Sequence, residues 1–522
     1  MVLRIKTKRD NPQVIMKKLI FLALLIGIFA GAEEKKKPNF IFAISDDQSY
    51  PHTSIYGSKY INTPAFDSVA KNGILFTNAY CAAPQCSPSR AAILTGRQIW
   101  QLEEAGVHGS FFPPKFTCFT DVLIKNGYHV GYTGKGWSPG DWKKLGRKTY
   151  PVGKNYKGGK IKPPAPAMSS KDYAKGFNQF IKARKKGQPF FFWYGAHEPH
   201  RNYTFKSGAK NGKKLSDVKV PPYMPDNETI RHDLLDYALE IEWFDLHLQR
   251  IIKKLKEIGE YENTVIIVTA DNGMPFPRAK ANLYEQGAHV PLAVQWPAKF
   301  KKGQTVKLPV ALPEIAPFVL EAAGLEKPKT FTHPSLLKTI NGEIKDKAVF
   351  TGRERHTHAR KNNWTYPCRS IRKGKYLLIH NMKPNRWPAG DQFHDIDSAP
   401  AKDVILKLPE FKKMSVGKRP EFELFDVEKD PYTMKNLADS EEYKEIKAKL
   451  LKQLHDQLKK DGDPRMFGKG DIFESYPRVS HMRPFLGGFS ERGKYNPNYI
   501  QKDQKVDPKD IGKKVDEVPE TK

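Results

Sequence analysis

The sequence predicts an α/β fold, with a large, mainly parallel sheet flanked by helices and then a smaller antiparallel subdomain. Residues 40–44, 128–132, 190–194, 265–269 and 291–294 are short apolar runs, each followed by polar or Gly-rich residues. That is how strands buried on both faces read. Helical stretches alternate with them. The segment after Ile61-Asn62-Thr63-Pro64 is amphipathic through Ala70, and residues 120–125 have a helical pattern. Over 234–258, Leu235, Leu239, Leu248, Ile251, Ile252, Leu255 and Ile258 share one helix face. Strand–helix alternation predicts a mainly parallel sheet. It stops near residue 345, where runs at 347–351, 368–371, 376–380 and 423–426 suit a small antiparallel sheet and residues 440–459 suit a helix. The expected divisions are an α/β domain over 38–345, a subdomain over 346–465, and a Pro-, Gly- and charge-rich segment over 466–522 whose last twenty residues are expected to be mobile.

The 522 residues are 39% apolar and 11% aromatic, a globular composition. With 88 Lys+Arg against 57 Asp+Glu the formal charge is +31, which suits a polyanionic partner or a merely solvated basic surface. No nucleic-acid-binding signature accompanies the charge, and the lysines are spread along the chain, so no nucleic-acid partner is expected. Met16-Lys17-Lys18, the apolar run from Leu19 to Phe29 and Ala30-Gly31-Ala32 have the form of a secretory signal peptide, 16–32, cleaved after an Ala-x-Ala site. The run is too short for a stable membrane anchor, and residues 1–15 read as an upstream extension from a misplaced start. The expected location is periplasmic or secreted, in a bacterium. Asn202, Asn227 and Asn363 lie in glycosylation sequons that carry little weight in that setting.

In open α/β sheets, ligands gather beyond the carboxyl ends of the strands. Asp46 and Asp47 follow the first apolar run, Lys135 the second, His197 and His200 the third, and Asp271 and Asn272 the fourth. Singly each suits a turn or a solvated loop; together, beside Cys86, they form a candidate site. No second Cys or His stands near Cys86 at metal-binding spacing, and Cys81, Cys118 and Cys368 form no disulfide framework.

Cys86-Ser87-Pro88-Ser89-Arg90, followed by Thr95-Gly96, resembles the Cys-x-Pro-x-Arg signature of type I sulfatases. Asn39-Phe40-Ile41-Phe42, Asn62-Thr63-Pro64, Gly131-Tyr132-Thr133-Gly134-Lys135, Ala270-Asp271-Asn272-Gly273 and Leu424-Phe425-Asp426 resemble further landmarks of that family. His197-Glu198-Pro199-His200-Arg201, Asp271 to Pro277 with Asn282-Leu283-Tyr284, and Tyr366-Pro367-Cys368-Arg369-Ser370 with His380-Asn381 are similar to its heparan N-sulfatase (sulfamidase) branch. The resemblance implies the alkaline-phosphatase-like sulfatase fold. It also implies that a maturation enzyme oxidises Cys86 to formylglycine, whose hydrate supplies the nucleophile. By the same likeness Asp46, Asp47, Asp271 and Asn272, with the modified Cys86, hold one Ca²⁺, and hard oxygen donors suit that ion. Arg90 is implied to steady the formylglycine, Lys135 and Lys280 to bind sulfate oxygens, and His197 to protonate the leaving group.

Two positions depart from the family pattern. Trp137 stands where many members carry a His, and is expected to stack on a sugar ring. Lys280 stands where the sulfamidase has an Arg, which removes the bidentate fork. Trp137, His200, Arg201, Arg369 and His380 are the expected substrate contacts. The implied partner is a sulfated saccharide, with N-sulfoglucosamine at a chain end preferred. An exo-acting O-sulfatase, a phosphatase or phosphonate hydrolase of the same fold, and a non-catalytic glycan-binding protein are the alternatives.

Overall fold

Strand β1 (Asn39–Ser45) is buried at every residue. Phe40, Phe42 and Ile44 enter one core with Phe191, Trp193, Val265 and Ile267, while Ile41 and Ala43 enter a second core with Phe190, Phe192, Tyr194 and Ile266. Two apolar faces make the strand a continuous apolar run, where a half-solvated strand would alternate. The computed structural model describes residues 36–479 with 482, 483 and 486; the expected signal peptide, the upstream extension and the last twenty residues lie outside them.

After β1 come β2 (Ile74–Tyr80), β3 (His129–Gly134), β4 (Lys154–Asn155), β5 (Phe190–Gly195), β6 (Thr264–Ala270), β7 (His289–Gln295), β8 (Gln304–Val306) and β9 (Val310–Ala311). Their order across the sheet is β4-β3-β5-β1-β6-β7-β2-β8, with β9 beside β2. The pairs β3–β5, β5–β1 and β1–β6 are parallel, so the ends of β3, β5, β1 and β6 open on one rim. The run at 291–294, expected to be parallel, is β7 and lies antiparallel to both β6 and β2. Its connection from β6 holds only one short helix, Glu285–Ala288, so the chain re-enters the sheet from the rim it has just left.

The helices over Pro64–Lys71, Phe119–Lys125, Tyr173–Ala183 and Glu228–Glu257 flank this sheet. The last starts before its apolar face does, because the side chain of Asn227 caps it by accepting from the Ile230 N–H. Among the described residues no helix is long and apolar enough to cross a membrane.

Strands β10 (Ala348–Arg353), β11 (Cys368–Lys373), β12 (Tyr376–Asn381) and β13 (Phe422–Asp426) form a separate antiparallel sheet. The helix Lys444–Lys460 buries Leu450, Leu454 and Leu458. Arg369, on β11, was expected in a pocket, and this is corrected: it is fully buried. Its Nε donates to Asp463 Oδ2 at 2.7 Å and its Nη2 to Glu354 Oε1 at 2.7 Å, while Nη1 donates to the carbonyls of Arg353 and Cys368. Every nitrogen is spent within the protein, and none is left for a saccharide. Arg369→Ala should therefore destabilise the fold by about 3–5 kcal/mol, by leaving buried carboxylates short of a partner. Urea denaturation measures this; an unchanged midpoint combined with a raised KM would return Arg369 to a binding role.

Candidate active site

The rim places each acid through the backbone. Asp271 extends β6, its N–H donating to the Ser45 carbonyl, and its Oδ1 accepts from the Asp47 N–H at 3.0 Å. Asp47 adopts φ 72°, a left-handed conformation that an Asp takes at a cost and that is common where function fixes the backbone. Beside them starts the helix Cys86–Thr95, all ten of whose residues are buried. Pro88 is tolerated in its first turn, and Gly96 closes it with φ 59°. Ser89 Oγ donates to the Asp271 carbonyl at 2.6 Å, tying the helix to β6. Cys86, its first residue, has Sγ at 3.7 Å from Asp47 Oδ1. The partial positive charge of this helix N-terminus favours an anion there.

Lys135 arrives because β3 and β5 close up at their ends. The Lys135 N–H donates to the Gly195 carbonyl at 2.7 Å, and a Cβ on Gly134 or on Gly195 would collide with the backbone of the other strand. Each carboxylate then has its own cation: Lys135 Nζ lies 2.5 Å from Asp46, Lys280 Nζ 2.7 Å from Asp47, and Arg90 Nε 2.7 Å from Asp271. Burial opposes the charge on Asp46, yet Lys135, His200 and Arg90 hold its carboxyl well below the usual range. Arg90 also donates to the carbonyls of Lys135 and Gly136, so it braces the acids and the Lys135 loop together.

The donor set fits a hard cation. Asp46 Oδ1 and Asn272 Oδ1 are buried without a hydrogen-bond partner. One ligand atom from each of Asp46, Asp47 and Cys86 lies within 4.8 Å of the others. Buried oxygens left unpaired are costly unless a cation or a donor completes them. Asp47, His200 and Asp397 form a second such group, but the Lys280 ammonium occupies it, at 2.7, 3.1 and 3.1 Å from them respectively.

Asp46 and Lys135 also line a cleft of about 420 Å³, together with His197, Glu198, His200, Arg201, Asn202 and Glu240. That volume is in the range of small-ligand pockets. Burial, aided by Lys135, depresses the imidazole of His197 to about 4, so it is neutral at neutral pH. Arg201 reaches the cleft, but its guanidinium is held by both oxygens of Asp233, at 2.7 and 2.8 Å.

Two further expectations are corrected. Trp137 is 1% exposed, with its indole N–H donating to the Ser87 carbonyl at 3.0 Å and its ring edge-on to Phe112. It is a core side chain that backs the Cys86 helix and has no face open to a sugar. His380, on β12, packs on Phe422 and contacts His455 at 3.2 Å, and it does not line the cleft. Sequence reading missed three acids near the site: Asp397, Glu198 and Glu240. Glu198 stood within the quoted run 197–201, whereas Asp397 and Glu240 lie in segments with no motif of their own.

Residues 38–325 match the sulfatase family, more than half of the chain. The chain belongs to the sulfatase family and is a hydrolase of that class. Residues 278–402 match the family described as N-sulphoglucosamine sulphohydrolase, C-terminal. This sulfatase is 28% identical to an ulvan-active sulfatase of Formosa agariphila over 446 residues, covering 82% of this chain and 81% of the relative. It is also 28% identical to the N-sulphoglucosamine sulphohydrolase of Homo sapiens over 471 residues, covering 81% and 89%. A solved structure in complex with D-glucosamine-2-N,6-O-disulfate superposes with a TM-score of 0.61 at 20% identity, covering 82% of this chain and 99% of that one, which supports the shared fold.

The position of Trp137 generates a prediction. Trp137→Ala should cost about 3–5 kcal/mol of stability, and Trp137→Phe should fold but turn over more slowly at an unchanged KM, because only the support of the Ser87 carbonyl is lost. Steady-state kinetics of the Phe variant decide this, since a sugar-stacking role demands a raised KM with kcat preserved.

Proposed function

We propose that this sulfatase removes sulfate from sulfated saccharides, with N-sulfoglucosamine at a chain end as its preferred substrate. The observation that carries the proposal is the meeting of Cys86, at a buried helix N-terminus, with an acid–cation cluster whose Asp46 and Lys135 line a sugar-sized cleft. The preference for N-sulfoglucosamine is supported by the matched segment 278–402, which contributes both Lys280 and Asp397. The ulvan-active relative favours a second reading, in which the same chemistry acts on an O-sulfated sugar.

Burial and the nearby Asp46 push the Cys86 thiol well above its ordinary range. An unmodified Cys86 stays protonated and is a poor nucleophile, so the nucleophile of this reading is the formylglycine made from it by a maturation enzyme. If formed, the formylglycine hydrate would supply the attacking oxygen, and Asp46, Asp47, Asp271 and Asn272 would hold a Ca²⁺ that would offset charge on the sulfate. Lys135 and Lys280 act as fixed cations toward sulfate oxygens, and Arg90 keeps Asp271 and the Lys135 loop in place. His197 reaches the cleft as a neutral imidazole and takes up a proton once a bound sulfate stabilises its charge. It then gives that proton to the departing nitrogen or oxygen. The signal-peptide pattern at 16–32 supports action outside the cytoplasm.

The function is tested with purified mature protein. Mass spectrometry should show an aldehyde at position 86, and a panel of N- and O-sulfated glucosamines should show sulfate release from the N-sulfate. Cys86→Ala should lose about 10³-fold or more in kcat. A free thiol at position 86 in fully active enzyme rejects the nucleophile, and release from O-sulfates alone moves the substrate to the second reading.

The role of His197 sets the pH dependence. An acid must carry its proton, and free His197 loses it as the pH rises through about 4. For sugar substrates kcat/KM should therefore fall about tenfold per pH unit above that value, because it reports the free enzyme. The corresponding limb of kcat should lie at higher pH, where the bound sulfate holds the proton on. In His197→Gln the kcat/KM limb should vanish, with a smaller loss on aryl sulfates, whose leaving group needs little protonation. Identical pH profiles for variant and wild type would remove His197 from this role.

A further inference from the structure

The long helix Glu228–Glu257 carries several carboxyls and a tyrosine along its middle turns, and nearly all of these have partners. Asp233 holds Arg201 through both oxygens. Asp236 accepts from the N–H groups of Lys206 and Gly208 and from Ser207 Oγ. The Tyr237 hydroxyl contacts the Ser49 N–H and His52 Nδ1. Glu242 accepts from the Asn62 N–H and from Lys213, and Asp245 caps the helix Pro64–Lys71 through the N–H groups of Ala65 and Phe66. Glu240 is the exception among these carboxyls. It is 3% exposed and lines the cleft, and among the described residues its carboxyl makes no hydrogen bond and no ion pair.

Leaving such a group unpaired costs stability, and a ligand that completes it recovers the cost. The other carboxyl of that wall cannot serve: Glu198 Oε1 accepts from the Ser169 N–H, and its Oε2 accepts from the Tyr173 hydroxyl and the His197 N–H. Asp46, across the same cleft, is held by Lys135. Among the described residues lining this cleft, Glu240 is thus the carboxyl with neither a hydrogen bond nor an ion pair, whereas Asp46 is tied to Lys135 and Glu198 to its neighbours.

We propose that Glu240 is a specificity-determining residue, whose carboxyl hydrogen-bonds a hydroxyl or amino group on the sugar ring that carries the sulfate. This rests on the saccharide reading above. It assigns the groups lining the cleft different tasks: Asp46 and Lys135 lie where the sulfate is received, and Glu240 reads an uncharged or cationic substituent of the same ring. A site built to pair with a hydroxyl discriminates strongly against an analogue lacking it, because its own buried group is then left bare.

The test uses the full-length mature enzyme, N-sulfoglucosamine, its monodeoxy analogues and 4-nitrophenyl sulfate. With the wild type, one deoxy analogue should lose about tenfold or more in kcat/KM relative to the parent sugar. In Glu240→Leu the parent should fall to the level of that analogue, so that the two no longer differ, and the loss on the sugar should exceed the loss on the aryl sulfate by about tenfold. The same variant should raise Tm, because an unpaired buried carboxyl has been replaced by an apolar group. A more conservative variant, Glu240→Gln, keeps an acceptor oxygen and should recover part of the discrimination. Equal losses on sugar and aryl sulfate, discrimination that persists in Glu240→Leu, or a lowered Tm would each overturn the proposal. Failure of the wild type to desulfate any sugar overturns the saccharide reading itself, before any variant is compared.

Discussion

Three buried carboxylates, those of Asp46, Asp47 and Asp271, share one end of the central sheet, and like charges cannot be held together away from water without compensation. The compensating cations come from three different connections: Lys135 after β3, Arg90 from the Cys86 helix, and Lys280 from the loop after β6. Each must reach its acid for the strand ends to stay close. The parallel order β3-β5-β1-β6, the close approach of Gly134 and Gly195, and the tie from Ser89 to Asp271 are the backbone side of the same requirement. The connection between β12 and β13 is bound into it as well, because its Asp397 shares the ammonium of Lys280 with Asp47.

The parts of this arrangement that were legible in the sequence are those encoded locally. A strand buried on both faces is an apolar run, and the polar residue that follows it sits at the rim; β1, β5 and β6 could be read this way, and with them the positions of Asp46, Asp271 and His197. Strand β2 hid because its apolar half gives way to Thr77 and Asn78, and the direction of β7 hid because periodicity carries no sense of travel. Trp137 and Arg369 misled for a common reason. A large aromatic or a cation beside a motif looks like a ligand contact, and only the fold shows what it already touches. The partners of Arg369 are Glu354 and Asp463, the second 94 residues away, and no spacing rule links them. Glu240 was hidden in the opposite sense, since its interest lies in the partner it lacks, which no sequence displays.

The cleft divides its polar groups unevenly. Asp46 and Lys135 form a buried ion pair on its lining, whereas His197 is neutral because of its burial and Glu240 is without a partner. Groups held in this way reduce the stability of the empty protein and are satisfied only when something enters. On the lining of the cleft the fold therefore tolerates an unpaired carboxyl, whereas the carboxyls of Asp233, Asp236, Glu242 and Asp245 on the same helix are all paired.

Cys86 is 1% exposed, and every residue of its helix is buried beneath the α/β body. On the formylglycine reading, another enzyme must grip this segment in extended form and reach its sulfur. The finished structure offers no such access. On that reading the oxidation would have to precede the packing of the Cys86 segment beside β1 and β6. Overproduction that outpaces the maturation enzyme should thus yield well-folded molecules that are permanently inert, a defect that refolding alone could repair only in the presence of that enzyme.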